Sequence, residues 1–304
     1  MTSALAVRRS GRSAILLAPL VIALLAGGCT TPSPSAAQTG APSGAAPSGV
    51  ATPGPTADLT TVRVYYFIGS FTDNGGLVPV ERRVPRLEPI GATQRGALEA
   101  LLAGPSEAEL GARPALFTTM PEATRLLGLE FEGSVATIDL SGEFAGGGSA
   151  SARARLAQVV YTLTQFDFIS AVRFEIDGKP VTVFSDAGID LSAPVDRTVF
   201  ADQAPAIFID QPVWGGTLAN PARIVGLADV FEATFRARIV DAAGHQLTDV
   251  QVMASCGSGC LGTFDETIAY APAPAGPGTL RVYEPSAMDG SPTNVTEYPV
   301  ILTP

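Results

Sequence analysis

The sequence predicts an α+β domain followed by an all-β sandwich, with an export and tether segment in front of both. Three observations lead there. Between about residues 59 and 200, strand-type runs alternate with stretches of helical period. From residue 201 onward, short runs rich in β-branched and aromatic residues alternate with turn residues, and no helical period appears. Residues 1–58 carry neither pattern.

In the α+β part, Val62-Arg63-Val64-Tyr65-Tyr66-Phe67-Ile68 reads as a strand, and Leu77 to Val84 as its hairpin partner across the turn Thr72 to Gly76. Thr93 is placed to cap a helix running to about Ala103, with Ala97, Leu98, Leu101 and Leu102 as its core stripe. Gly104-Pro105 stops it. Leu126 to Phe131 and Val135 to Leu140 form a second strand pair, joined at Glu132-Gly133, and a glycine-rich loop covers Gly142 to Ser149. Leu156, Val159, Val160 and Leu163 fall on one face of a second helix. Ala171 to Ile176 and Val181 to Phe184 flank the hairpin turn Asp177-Gly178. The expectation is a small, mostly antiparallel sheet with two helices on one face.

The second part reads as about seven strands. Phe235, Ala237 and Ile239 alternate with Thr234, Arg236 and Arg238, and Tyr298, Val300 and Leu302 share one face. Ala206 to Asp210, Ala222 to Leu227, Leu247 to Ala254, Thr263 to Tyr270 and Thr279 to Tyr283 complete the set.

The N-terminus reads as an export signal over residues 1–28. Arg8, Arg9 and Arg12 precede an apolar run from Ala14 to Ala26. That run spans about 20 Å as helix, short of the roughly 30 Å hydrocarbon core, so it is a signal h-region and not a membrane span. Its end, Leu24-Leu25-Ala26-Gly27-Gly28-Cys29, resembles the lipobox of bacterial lipoproteins, with Ala26 where the family usually has Leu. The resemblance implies acylation of Cys29. Each buried CH₂ contributes about 0.8 kcal/mol, so two or three chains anchor permanently. Residues 29–58 hold Pro32, Pro34, Pro42, Pro47, Pro53 and Pro55 among small residues and read as a tether. It reaches roughly 30 Å as a coil and roughly 90 Å as polyproline II.

With 29 Asp plus Glu against 19 Lys plus Arg, the net charge of -10 excludes a nucleic-acid partner, which needs a basic footprint. If Cys29 carries lipid, Cys256 and Cys260 remain as an even pair in an oxidising compartment, expected as a disulfide closing a short glycine-bearing loop. The rival is zinc, which needs three or four ligands, and His245 is the only histidine. His245 follows Ala242-Ala243-Gly244 and reads as a surface turn residue; nothing nearby marks a nucleophile elbow. Asp139 with Glu143, and Asp186 with Asp190, are the carboxylate pairs that glycosidic acid/base work would need, but both sit where solvated turn residues are common. Gly146-Gly147-Gly148 lacks the Lys-Ser/Thr of a phosphate cradle and reads as a flexible loop. Tyr161 adjoins the apolar helix face and reads as core. Trp214, beside Gly215-Gly216, is the likelier exposed aromatic of the two, with core packing still the leading expectation for it.

The first domain resembles the GerM-type (GerMN) domain of bacterial sporulation and germination lipoproteins. The carrying residues run in order through Val64-Tyr65-Tyr66-Phe67, Leu77-Val78-Pro79-Val80, Arg82 and Leu101-Leu102-Ala103-Gly104-Pro105. They continue through Met120-Pro121-Glu122-Ala123-Thr124, Val135 to Ser141, Val160 to Phe166, Asp177-Gly178 and Arg197. The second is similar to the immunoglobulin-like domain that accompanies it in spore germination proteins. There the residues are Ile209-Asp210-Gln211-Pro212, Asn220 to Gly226, Phe231-Glu232, Val240 to Gly244 and Glu284 to Gly290. These resemblances imply a ring-building-motif-like fold over 59–200, an immunoglobulin-like sandwich over 201–304, no enzymatic activity and no cofactor. The expected role is a non-catalytic scaffold or adaptor on the extracytoplasmic face of the membrane, of sporulation or germination type. It would bind envelope proteins or peptidoglycan, or a second copy through the GerM-type domain. The alternatives are a cell-wall hydrolase and a small-molecule binding lipoprotein.

Overall fold

A computed structural model describes residues 58–69, 76–86 and 91–304. The expected signal peptide, Cys29, the tether up to residue 57 and the tip of the first turn lie outside the described residues. All described residues fall in one compact unit.

Strand β1 (Leu59–Ile68) pairs antiparallel with β2 (Leu77–Pro85), with Val64 opposite Val80 and Tyr66 opposite Val78, which is the expected hairpin. Helix α1 (Ala92–Leu102) starts two residues earlier than the Thr93 signal implies. Gly91 sets the start: its φ of 104° is left-handed, and Gln94 Oε1 accepts from its N–H at 3.1 Å. A Cβ at Gly91 would also come within 3.0 Å of the Phe131 ring, so glycine fits on both counts. The one-turn helix α2 (Glu107–Leu110) follows, and β3 (Leu116–Phe117) adds briefly to β1, giving the order β2-β1-β3.

A second sheet holds β4 (Leu126–Glu132) and β5 (Val135–Leu140) as an antiparallel pair. Helix α3 (Ala152–Leu163) then crosses to β6 (Ala171–Ile176), which lies parallel to β5, as a helical crossover permits. The Asp177-Gly178 turn forms as expected, but its return strand β7 (Lys179–Pro180) is only two residues long. The expected strand at Val181 to Phe184 leaves the sheet after Val181 N–H bonds Phe174 O. Val183–Phe184 (β8) pairs instead with β9 (Ile189–Asp190), which buries the Phe184 ring 5.3 Å from Phe144. The α+β part therefore has two main sheets where the sequence implied one.

Helix α3 holds this part together. Leu156, Val159, Val160 and Leu163 are buried as the period requires, and so are Arg155, Gln158 and Thr162 on the other faces. It packs against α1, β1, β6 and the 3₁₀ segment Arg197–Gln203. The burial of Gln158, and the position of Gln165 just beyond the helix, have a specific cause. Strand β3 covers only Phe67 and Ile68, leaving most of one β1 edge open. Gln158 Nε2 donates to Tyr65 O at 2.8 Å, and Gln165 brackets Arg63, accepting from its N–H at 2.6 Å and donating to its C=O at 2.5 Å. Two side-chain amides thus stand where a neighbouring strand would, satisfying backbone groups that burial cannot leave unpaired.

The C-terminal part is a sandwich. One sheet runs β10-β12-β15, formed by β10 (Ile207–Gln211), β12 (Ala222–Ala228) and β15 (Gly262–Ile268). The other runs β11-β17-β16-β13-β14. Its strands are β11 (Thr217–Leu218), β13 (Thr234–Asp241), β14 (Gln246–Met253), β16 (Gly276–Pro285) and β17 (Pro292–Leu302). The expected inward residues Phe235, Ala237, Ile239, Tyr298, Val300 and Leu302 are all buried. Each such large apolar side chain contributes about 1.5–3 kcal/mol on leaving water. Phe235 and Phe264 meet edge to face across the sheets at 4.9 Å. Strand β11, which no sequence pattern marked, pairs parallel with the end of β17.

Candidate functional site

The two parts share one continuous hydrophobic core that runs from Val64 to Leu302. Their junction is built on the ends of β1, α3 and β10. Phe208 of β10 stacks on Tyr65 at 6.4 Å and meets Tyr161 of α3 edge-on at 5.9 Å. Tyr161 is core, as its helix position implied. Beside these rings, Arg63 Nη1 donates to Asp210 Oδ2 at 2.6 Å. Trp214 N–H donates to Pro79 O at 2.9 Å, which ties the sandwich to β2.

Trp214 packs in the core, the leading expectation for it, and not as the exposed aromatic that its glycine neighbours left open. Only 9% of it is exposed, because the residues around it close against β2. Its indole N–H has no partner among the described residues.

Arg197 is the central charged group. It opens the 3₁₀ segment after Asp196, whose carboxylate caps the segment by accepting from Thr198 N–H at 2.9 Å. The Arg197 guanidinium lies over the Tyr161 ring at 4.7 Å and over Tyr65 at 5.4 Å. Its Nε donates to Thr164 Oγ1 at 2.8 Å and its Nη2 to Tyr161 O at 3.1 Å. Burial pushes the Tyr161 hydroxyl up to about 12, with the nearby Arg197 charge opposing. Tyr65 is also raised, chiefly by burial. Both phenols therefore stay neutral, and the cation meets them through the negative faces of their rings. Arg197 borders a cavity of about 390 Å³ whose other walls come from β10, β12 and β15.

The remaining sequence candidates lie apart from this junction. Cys29 is outside the described residues. Cys256 and Cys260 form a disulfide with Cα atoms 5.7 Å apart. Its loop is docked on the preceding turn: Ser258 N–H donates to Val230 O at 3.0 Å and Gly259 N–H to Asp229 Oδ1 at 2.7 Å. His245 sits in the β13–β14 turn, 77% exposed, with Nδ1 3.0 Å from Asp241 Oδ2. Glu143 is held below the usual carboxylate range by the Ser141 hydroxyl, and Asp190 by the Ser192 hydroxyl and N–H. A glycosidic general acid needs the opposite shift. Asp139 Oδ1 accepts from Gly178 N–H at 3.0 Å, a turn-bracing contact. Among the described residues no group of three or more His, Cys, Asp or Glu side chains is placed to hold a metal.

The glycine-rich loop is closed, not loose. Arg155 is fully buried, and its guanidinium donates to the carbonyls of Phe144, Gly146 and Gly148. Carbonyls that converge on a cation are the reverse of a phosphate cradle, which converges N–H groups on an anion. Sequence reading noted Arg197 and Asp210 within longer motifs without giving either a role. Arg63 and Phe208 carried no signal beyond strand propensity.

The fold and junction define a protein of two fused modules, an α+β unit and an immunoglobulin-like sandwich. Residues 63–182 match the family described as sporulation and spore germination (Germane), and residues 206–291 match the immunoglobulin-like domain of bacterial spore germination (Gmad2). Two regions of the chain thus match these two domain families in series.

Among solved structures, the first GerMN domain of the sporulation protein GerM from Bacillus subtilis is similar at 21% identity and a TM-score of 0.36. That match covers 46% of this chain and 98% of that one. A putative lipoprotein from Clostridium perfringens is similar at 23% identity and a TM-score of 0.33, over 46% and 89% of the respective chains. The tandem GerMN domains of the same Bacillus subtilis protein match at 15% identity and a TM-score of 0.36; they cover 70% of this chain, which spans 62% of theirs. No curated protein matches the chain.

Proposed function

We propose that this chain is a lipid-anchored, non-catalytic scaffold on the extracytoplasmic face of the membrane, serving a process of the sporulation or germination type. Cys29 carries the anchor, the proline-rich segment sets the reach, and the fused modules bind envelope proteins, peptidoglycan or a second copy. The observation that supports this reading best is the shared core: two modules matched to spore-germination domain families are joined without a loose linker, so both present their surfaces at fixed spacing. Strands β4 and β14 end their sheets and leave backbone edges on which a partner strand can add. The sporulation role rests on both domain families, and the anchor rests on the lipobox residues ending at Cys29.

The test is photocrosslinking from residues on β4 and β14 in native cells, with fractionation of the Cys29→Ala variant alongside. The expected result is discrete envelope adducts and loss of the variant from the membrane fraction. An intact protein that yields no adducts, or a variant that stays with the membrane, overturns the corresponding half of the reading.

A further inference from the structure

We propose that the cavity beside Arg197 is a binding site for a small ligand that presents one carboxylate on an apolar body. This inference does not depend on the scaffold reading. The cavity, of about 390 Å³, falls within the usual range of small-molecule sites. Its body is apolar: Phe208, Val225 and Leu227 project from the outer face of the β10-β12-β15 sheet, and Phe264 closes beneath Gly226. The close approach there requires glycine, since a Cβ at Gly226 would stand 2.0 Å from Phe208 O and 2.7 Å from the Phe264 ring.

Charge selects the ligand. Two carboxylates line the cavity, Asp210 and Asp265, and each is already spent. Asp210 pairs with Arg63 and Asp265 with Arg223, both at 2.6 Å. Arg197 has no carboxylate within ion-pair distance among the described residues, and its Nη1 makes no hydrogen bond there. The wall itself holds Arg197 and these two aspartates; counted with their partners Arg63 and Arg223, which stand outside the lining, the set carries one net positive charge, and it belongs to Arg197. Nε is held by the Thr164 hydroxyl and Nη2 by both Tyr161 O and the Tyr65 hydroxyl, and two aromatic faces fix the guanidinium plane. The free Nη1 is therefore oriented before any ligand arrives, which lowers the entropic cost of binding. A preset guanidinium nitrogen beside an apolar wall suits a carboxylate on an apolar body better than a bare inorganic anion.

A free organic acid and the C-terminus of a short peptide share that chemistry. Calorimetry on the purified full-length protein separates them with 4-phenylbutyrate and an acetylated tripeptide ending in Phe, each beside its primary amide. The proposal expects at least one carboxylate to bind and its amide to bind at least about tenfold more weakly; the tighter acid identifies the source. Arg197→Lys keeps the charge and loses the planar geometry, and should weaken binding by about tenfold. If Arg197→Lys disturbs the junction, Thr263→Glu at the exposed cavity rim keeps the clamp and adds a repelling charge. It should weaken the acids and leave the amides unchanged. Equal binding of acid and amide, no binding at about 1 mM, or full affinity in both variants would overturn the site.

Discussion

Arg63 and Asp210 are 147 residues apart in the chain and meet at 2.6 Å, joining the first strand of the α+β module to the first strand of the sandwich. The pair is only partly exposed, and the Tyr65 hydroxyl lies 3.4 Å from the other Asp210 oxygen. Removing one partner leaves a half-buried charge without its counter-ion. Asp210→Ala should therefore lower stability by about 1–3 kcal/mol. A double-mutant cycle with Arg63→Ala, read by urea unfolding, should return a coupling of at least about 0.5 kcal/mol. Additive effects would mean that the contact does not join the modules.

The open edge of β1 gives a second expectation. Gln158 is fully buried and satisfies Tyr65 O and Thr119 N–H, while Gln165 brackets Arg63. Replacing Gln158 by Leu keeps the volume and strands two backbone groups, one buried and one partly buried. The cost should be about 2–4 kcal/mol, with amide exchange rising along β1. A neutral Gln158→Leu would mean that water or a shifted strand meets those groups.

Why was the edge device invisible in the sequence while the sandwich was legible? Alternation in β13 and β17 reports burial directly, because a strand's two faces differ at period two. The face of α3 was legible for the same reason at period 3.6. Gln158 and Gln165, however, occupy positions that normally face solvent, and only the shortness of β3 makes them structural. For Trp214 the neighbouring glycines left an exposed turn open as the lesser reading, because they describe a turn but not what packs on it. The role of Arg197 depends on Tyr65, 132 residues away, and on α3. Long-range juxtaposition leaves no periodic trace in the chain.

Asp249 predicts acid behaviour. Burial works against its charge, but hydrogen bonds from Arg238, Arg236 and the Tyr283 hydroxyl outweigh that and hold the carboxyl below its usual range. A carboxyl depressed by folding adds stability that is present above its unfolded value of about 3.9 and lost as pH falls through the folded value. Stability should therefore decline below about pH 4. Asp249→Asn should flatten that part of the curve, measured by unfolding at stepped pH. An unchanged acid limb in the variant would remove Asp249 as its source.

The Cys256–Cys260 disulfide closes a very short loop, so its entropic contribution is about 2 kcal/mol at most. The loop is also held by Ser258 and Gly259 contacts to the turn at Asp229 and Val230. The double variant Cys256→Ser, Cys260→Ser should lose no more than about 2 kcal/mol. Faster amide exchange should be confined to this loop and its docking turn. Global unfolding in the double variant would show that the bridge supports the whole sandwich.

Arg155 carries the sharpest mutational expectation. Its guanidinium is fully buried without a carboxylate, and burial lowers its proton affinity. It sits between the Phe144 and Phe184 rings at 5.8 and 5.5 Å while collecting three carbonyls of the Phe144 to Gly148 loop. Lysine carries the same charge but cannot span three acceptors from one plane or stack between two rings. Methionine restores much of the volume and leaves the carbonyls unpaired. Both Arg155→Lys and Arg155→Met should destabilise by about 2–4 kcal/mol. Both should also release the loop, seen as fast exchange at residues 144–151. If Arg155→Met matched the parent in stability and loop protection, the carbonyls would be satisfied without the cation, and its burial would need another cause.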